Sequence, residues 1–155
     1  MKPDEIAALL GAQFGAKILE SKPSPLSPWS VVDPAEILPV CRFLRDDERL
    51  RMDHLECLAG VDYKDRIEVV YVLYSMTHRH RYALKCLLPR ESARLNSVES
   101  IWGAANWHER EAYDLLGIVF EGHSDLRRIL LPDDWEGHPL RRDYKFPTSY
   151  RDMPV

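Results

Sequence analysis

His108 and Glu111, one helical turn apart, followed by His123 and Asp125, are the residues of this chain whose types and spacing come nearest to chemistry. Imidazole and carboxylate groups in that number could hold a divalent metal and its water. The sequence has no HExxH, no CxxC and no third histidine on the same helix, so the pair reads first as a solvated helix face. Ser124 beside His123 offers adjacency rather than triad geometry, and no G-x-S-x-G occurs. Neither a GxxxxGKS/T nor a GxGxxG phosphate cradle is present. A free-standing metal-dependent hydrolase using His108, Glu111 and His123 is the enzyme reading, and it requires stoichiometric metal on the isolated chain.

Glu109 is the more informative carboxylate. At helical spacing it shares a face with Trp102, Ala105, Ala112, Tyr113 and Leu116. Burying it unpaired costs several kcal/mol, so it either raises its pKa or meets a cation. Arg127, Arg128, Arg141 and Arg142 lie downstream, and a charge-assisted pair with one of them is the expected outcome. That role is structural, ahead of any as a catalytic acid.

The elements that must position these residues follow from periodicity. Ile6, Leu9 and Leu10 predict a short N-terminal helix from Pro3 ending near Gly11. A proline-rich loop spans Lys22 to Pro28, and Trp29 to Val32 reads as a brief strand. Asp33 and Pro34 are an N-cap and first helical residue ahead of the stripe Ile37, Leu38, Cys41 and Leu44, with Pro39 marking a kink or a later start. Ile67, Val69, Tyr71 and Leu73 alternate against Glu68, Val70, Val72 and Tyr74, a strand apolar on both faces and so central in a sheet or covered twice. Thr77 to Arg81 is a hairpin tip leading to a second strand through Tyr82, Leu84, Cys86 and Leu88. A helix capped by Asn96 or Ser97 is expected to run to Gly117. The sum is an α+β, two-layer domain over residues 1–120, a mixed or antiparallel sheet with helices on one face.

Composition bounds the function. A chain of 155 residues is most simply one domain able to bury roughly two-thirds of its unfolded surface. Its net charge of −4 argues against a nucleic-acid adaptor, which needs a basic face. Cys41, Cys57 and Cys86 are odd in number and widely spaced, which predicts reduced core thiols and supplies too few thiolates for an iron–sulfur cluster. No apolar run is long enough to span a bilayer and the N-terminus lacks a signal-peptide core, so a cytoplasmic protein is expected.

The last third follows no helix or strand period after Gly117, yet holds Leu126, Ile129, Leu130, Leu131, Trp135 and Leu140. Such side chains must pack on the rest of the domain or on another protein, so residues 121–155 form an extended C-terminal partner-docking segment in this reading. An internal echo marks two similar docking turns, Gly122-His123 before Leu126-Arg127-Arg128 and Gly137-His138 before Leu140-Arg141-Arg142.

The order SVESIWGAANWHEREAYDLLGI, then FEGHSDLRRILLPDDWEGHPLRRDY, preceded by RFLRDD, GVDY and RIEVVYVLYS, resembles the thirty-kilodalton (C) subunit of NADH:quinone oxidoreductase (respiratory complex I) over roughly Trp29 to Tyr144. Ser124 stands where that family usually has proline, which would loosen the turn after His123, and Arg142 where it usually has lysine. The resemblance implies a scaffold subunit of the hydrophilic arm beside the forty-nine-kilodalton (D) subunit, near subunits B and I. It implies no cofactor in this chain, with FMN and Fe–S clusters carried by partner subunits, and a peripheral place on the cytoplasmic side of the bacterial inner membrane. By position in the family's motif, the partner-docking residues would be Glu109, Arg110, Glu111, Asp114, His123, Asp125, Arg127, Arg128, Asp133, Trp135, His138, Arg141 and Arg142. Related subunits of membrane-bound hydrogenases and ferredoxin-driven dehydrogenases share the pattern.

Overall fold

The computed structural model describes residues 1–151 and 153–154. Its first helix, α1 (Pro3–Phe14), begins where the Glu5 carboxylate accepts the Lys2 N–H at 2.8 Å. It runs past Gly11 and ends at Gly15, whose φ of +53° only glycine adopts without strain. Gly11 therefore lies inside the helix rather than at its stop; a lone interior glycine costs about 1 kcal/mol, which the burial of Ile6 and Leu10 offsets.

β1 (Ile18–Lys22) pairs antiparallel with β2 (Trp29–Val32). Asp33 then caps a short 3-10 turn, accepting the Ala35 N–H, and α2 (Ile37–Asp46) starts behind it. Pro39 thus falls in the first turn of α2, where a missing N–H breaks no helical bond. β3 (His54–Asp62), β4 (Arg66–Tyr74) and β5 (Arg81–Pro89) form the expected meander, and the sheet order is β1-β2-β5-β4-β3. Only the β2–β5 contact is parallel, so the sheet is mixed.

The alternation read from β4 sets the layers. Ile67, Val69, Tyr71 and Leu73, with Tyr82, Leu84, Cys86 and Leu88 of β5, are buried under α1, α2 and a third helix. Val70, Val72 and Ala83 face the opposite side and are only partly covered. Cys41 and Cys86 are buried free thiols, Cys57 a half-buried one.

Between β5 and that third helix the expectation fails. In place of one helix from Asn96 or Ser97 to Gly117, there is β6 (Arg94–Asn96), a turn, α3 (Ala105–Leu116) and β7 (Val119–Glu121), with β6 and β7 paired in parallel. Val98, Ile101 and Trp102 carry helical spacing because they form one isolated turn, closed by Ile101 and Trp102 N–H groups on the Val98 carbonyl. The turn breaks where the Trp102 indole N–H reaches the Met52 carbonyl at 2.9 Å, and α3 starts afresh. Gly117, at φ +71°, ends α3 as expected.

From residue 122 the chain has neither helix nor strand until a short ladder between Ser149–Tyr150 and Met153–Pro154. It lies along α3. Of the 121–155 segment, Asp152 and Val155 are outside the described residues.

Candidate docking site

An extended segment with no ladder must find partners for its backbone groups elsewhere. Here the core supplies them, chiefly from three carboxylates. Asp114, fully buried on α3, accepts the consecutive N–H groups of Ile129, Leu130 and Leu131 on one oxygen, at 3.0, 2.8 and 2.9 Å. Its other oxygen takes the Arg128 guanidinium at 2.7 Å. Burial pushes the Asp114 pKa up, but the three amides and Arg128 outweigh it and hold the carboxyl below its usual range. Arg128 also donates to the Trp135 carbonyl at 2.9 Å, so one side chain ties α3 to two points of the segment.

Glu99 holds the first turn. It accepts the Ser124 N–H at 2.9 Å, the Ser124 hydroxyl at 2.7 Å and the Asn106 amide at 2.6 Å, and these bonds bring its pKa down to about 2. Ser124 therefore fastens the turn after His123 rather than loosening it: both its N–H, which a proline would lack, and its hydroxyl reach Glu99.

Asp62, buried at the end of β3, accepts the Arg142 N–H at 2.8 Å and a bidentate pair from Arg90 at 2.8 and 2.9 Å. Arg90, gripped by Asp62 and then Asp143, has its pKa raised. Arginines serve the carbonyl side: Arg110 reaches the Arg127 and Arg128 carbonyls, and Arg141 those of Leu116 and Arg90.

The two halves of the internal echo dock alike. Gly122 and Gly137 both have φ +80°, and each is followed by a histidine bonded to a backbone carbonyl of α3. His123 Nε2 donates to the Asn106 carbonyl at 3.1 Å while its Nδ1 accepts the Asp125 N–H at 2.9 Å. His138 Nδ1 donates to the Asp114 carbonyl at 2.9 Å. The first turn therefore sits on the N-terminal end of α3 and the second on its C-terminal end.

Glu109 does not meet an arginine. Fully buried, it accepts the Ser97 hydroxyl at 2.5 Å and the Val98 N–H at 2.7 Å, with His123 Nε2 at 4.0 Å. Burial is the largest influence and pushes its pKa up to about 7. Of the downstream arginines, Arg128 is taken by Asp114 and Arg141 by backbone carbonyls, which an aperiodic segment needs more, while Arg127 pairs with Asp125 and Arg142 points outward.

The remaining motif residues lie outward. Asp125 and Arg127 pair with each other at 2.9 Å, while Glu111, Asp133 and the Arg142 side chain are exposed. Trp135 is half-buried, its indole N–H on the Tyr144 hydroxyl at 2.9 Å and its ring against Tyr150. The histidine–carboxylate set does not converge: both nitrogens of His123 are engaged by the backbone, and among the described residues no three His, Cys, Asp or Glu side chains could share a metal. Glu99, Asp62, Arg90 and Ser97 are not among the residues expected in this cluster. Asp62 lies in the GVDY motif and Ser97 and Glu99 in SVES, so their positions are legible although their roles are not; Arg90 carries no such signal.

A family model described as the respiratory-chain NADH dehydrogenase 30 Kd subunit matches residues 30–150. The chain is 46% identical to the NADH-quinone oxidoreductase C subunit of Chloroherpeton thalassium, over 99% of this chain and 66% of that relative. It is 43% identical to the same subunit of Chlorobium phaeobacteroides, over 82% of this chain and 78% of that relative. It thus spans about two thirds of the length of the first of these. Among solved structures, the trypsin-resistant fragment of Nqo5 superposes with a TM-score of 0.65 at 28% identity, covering 81% of this chain and all of that one. A chain of a membrane-bound sulfane sulfur reductase, an archaeal respiratory membrane complex, gives a TM-score of 0.74 at 23% identity, covering 92% of this chain and 85% of that one, and shares the fold.

Proposed function

The chain belongs to the family of the thirty-kilodalton subunit of the respiratory-chain NADH dehydrogenase, and from that premise we propose that it is a scaffold subunit of the peripheral arm of a NADH:quinone oxidoreductase. In this reading it braces the quinone-reducing module beside the forty-nine-kilodalton subunit, with subunits B and I nearby, on the cytoplasmic face of the membrane. Among the described residues no helix is long and apolar enough to cross a membrane, in keeping with a peripheral place. The isolated chain is non-catalytic and holds no cofactor; electrons pass from NADH through FMN and Fe–S clusters on neighbouring subunits to quinone.

The observation that carries this reading is where the motif carboxylates go. Asp114, Glu99 and Asp62 are spent on backbone amides of residues 124–142 and on the arginines that brace them. A catalytic constellation aims such groups into one cavity; this one shapes a rigid outer surface, as a bracing subunit requires. Trp107, Leu130 and Leu140 remain on that surface, each more than half exposed.

The test is a tagged pull-down of this chain from source membranes in mild detergent, with companions identified by mass spectrometry and NADH-dependent quinone reduction assayed in the eluate. The forty-nine-kilodalton subunit, the cluster-bearing subunits and that activity are expected together. Hydrogenase or ferredoxin-dependent dehydrogenase subunits would move the chain to a sister machine, and a lone chain carrying stoichiometric metal would return the hydrolase reading.

A further inference from the structure

β3 is an edge strand, and its outer side is open beside α3. The hairpin fixes which groups point outward. Tyr63 donates its N–H to the Arg66 carbonyl, so the 63–66 pair is hydrogen-bonded. Bonded and non-bonded pairs alternate along an antiparallel ladder. Counting back through Asp62–Ile67, Val61–Glu68, Gly60–Val69, Ala59–Val70 and Leu58–Tyr71, the backbone groups of Gly60 and Leu58 turn away from β4. Among the described residues no other backbone group bonds them.

Next to those groups runs a cleft of about 120 Å³, the size of one aliphatic side chain. One helical stripe of α3, Glu111, Ala112 and Leu115, forms its far wall, and Leu140 closes one end, held there by its N–H on the Leu115 carbonyl. The free edge is short. A bulge between Leu55 and Cys57 limits it on one side, and the Asp62–Arg90 pair on the other.

We propose that this edge takes an extended segment of a partner protein as a sixth strand, hydrogen-bonded to Leu58 and Gly60, with an aliphatic side chain in the cleft and a basic residue on Glu111. Strand addition is the mode that an open edge beside a helix-walled groove serves: the backbone supplies affinity and the groove reads alternate side chains. Charge selects the occupant, since Glu111 is exposed and has no ion pair among the described residues, whereas the nearby Glu56 is already held by Arg81. A second copy of this chain fits poorly, because pairing two β3 edges about a two-fold axis would set two Glu111 carboxylates and two α3 helices against each other. The inference rests on the assembly reading above and names the contact within it.

Amide hydrogen exchange at single-residue resolution tests it, comparing the chain alone with the chain in the assembly recovered through its tag. In the chain alone, Leu58 and Gly60 exchange fast and Ala59 and Val61 slowly; in the assembly, Leu58 and Gly60 slow by at least about tenfold. Glu111→Arg, at an exposed position that leaves the fold intact, removes that protection and lowers recovery of the partner. An assembly of normal composition in which Leu58 and Gly60 still exchange fast overturns the strand addition and leaves the family's scaffold role standing. Protection within an assembly of other subunits keeps the strand addition and overturns the oxidoreductase assignment. Protection in the chain alone that rises with its concentration overturns the proposal in favour of a second copy, and recovery of the chain by itself overturns it outright.

Discussion

The Asp114 carboxylate and the Arg128 guanidinium, 2.7 Å apart, join the last turn of α3 to the segment that crosses it. Arg128 is the residue just before the three whose N–H groups the same carboxylate collects. Removing the acid leaves three amides without partners and a part-buried guanidinium without its counter-charge, held by carbonyls alone. Asp114→Ala is expected to cost about 3–5 kcal/mol, the range for breaking a buried charge pair from one side. Urea unfolding should show it, together with new proteolytic cleavage between residues 122 and 142. Unchanged cleavage there would mean that the segment is held by something other than this carboxylate.

Glu109 gives the fold a pH dependence of unusual sign for a carboxylate. Its folded pKa, about 7, lies above the ordinary 4.5 because burial disfavours the anion. Below pH 4.5 both states are protonated and the full stability is present. Between there and pH 7 the folded state holds the extra proton, so stability falls as pH rises through that window and levels off above it. The loss is of the order of 3 kcal/mol. Glu109→Gln keeps an acceptor for the Val98 N–H and a donor toward the Ser97 hydroxyl, so it should be more stable than the parent at pH 8 and flatter between pH 5 and 7. Thermal unfolding of both proteins across that range checks it. Parallel curves would show that Glu109 is ionised at neutral pH.

What was legible in the sequence was what repeats. The alternation through Ile67, Val69, Tyr71 and Leu73 identified an inner strand, but with apolar residues on both faces it did not say which face is the buried one; that comes only from the helices packed on Ile67, Val69, Tyr71 and Leu73. The echo around His123 and His138 identified two docking turns, since glycine with positive φ and a histidine were written twice. β6 and β7 were missed because strands of three residues carry too little period to separate from a turn. The Val98–Ile101–Trp102 spacing is helical, and only the long-range bond from the Trp102 indole to Met52 decides that the turn stops. The partner of Glu109 was misread for a related reason. Arginines near in sequence look available until the backbone demand of an aperiodic segment is counted.

Gly117 couples the end of α3 to the second docking turn. At φ +71° it lies where other residues are strained, and a Cβ built there would stand 2.5 Å from the His138 ring. His138 cannot retreat without giving up its bond to the Asp114 carbonyl. Gly117→Ala should therefore cost roughly 1–3 kcal/mol, combining backbone strain and overpacking. Its mark should be local: faster amide exchange at Leu140, whose N–H bonds the Leu115 carbonyl, with the meander of β3 to β5 unaffected. A uniform loss across the sheet would contradict that coupling.

Arg90 is the staple at the far end of the segment. Its guanidinium meets Asp62 bidentately and reaches Asp143 as well, and its own carbonyl receives Arg141. A lysine keeps the charge but cannot span two carboxylates with a planar fork. Arg90→Lys is expected to lose about 1–3 kcal/mol. Arg90→Lys combined with Asp143→Asn should lose little more, since Asp143 is largely exposed and Asp62 carries most of the interaction. A double-mutant cycle by urea unfolding separates the two, and a coupling to Asp143 as large as that to Asp62 would overturn the ranking.

Glu99 sets an acid limit on the same segment, opposite in sign to Glu109. The Ser124 N–H, then the Asn106 amide and the Ser124 hydroxyl, bring its folded pKa down to about 2 from 4.5. The unfolded chain therefore binds the proton first, and the stabilisation, complete above pH 4.5, is lost as pH falls toward 2. In that acid window Glu109 is already protonated in the folded state and adds nothing further to the loss. The turn at 122–125 should open before the sheet does, because Glu99 touches the turn and the start of α3 and no strand of the main sheet. Amide exchange follows this directly: between pH 4 and 2.5 the Ser124 N–H should lose its protection while the Leu140 N–H keeps its bond to the Leu115 carbonyl. In Glu99→Gln the loss at Ser124 should already be present at pH 5. If Ser124 and Leu140 opened together in both proteins, the two turns would be one cooperative unit rather than two separately anchored ones.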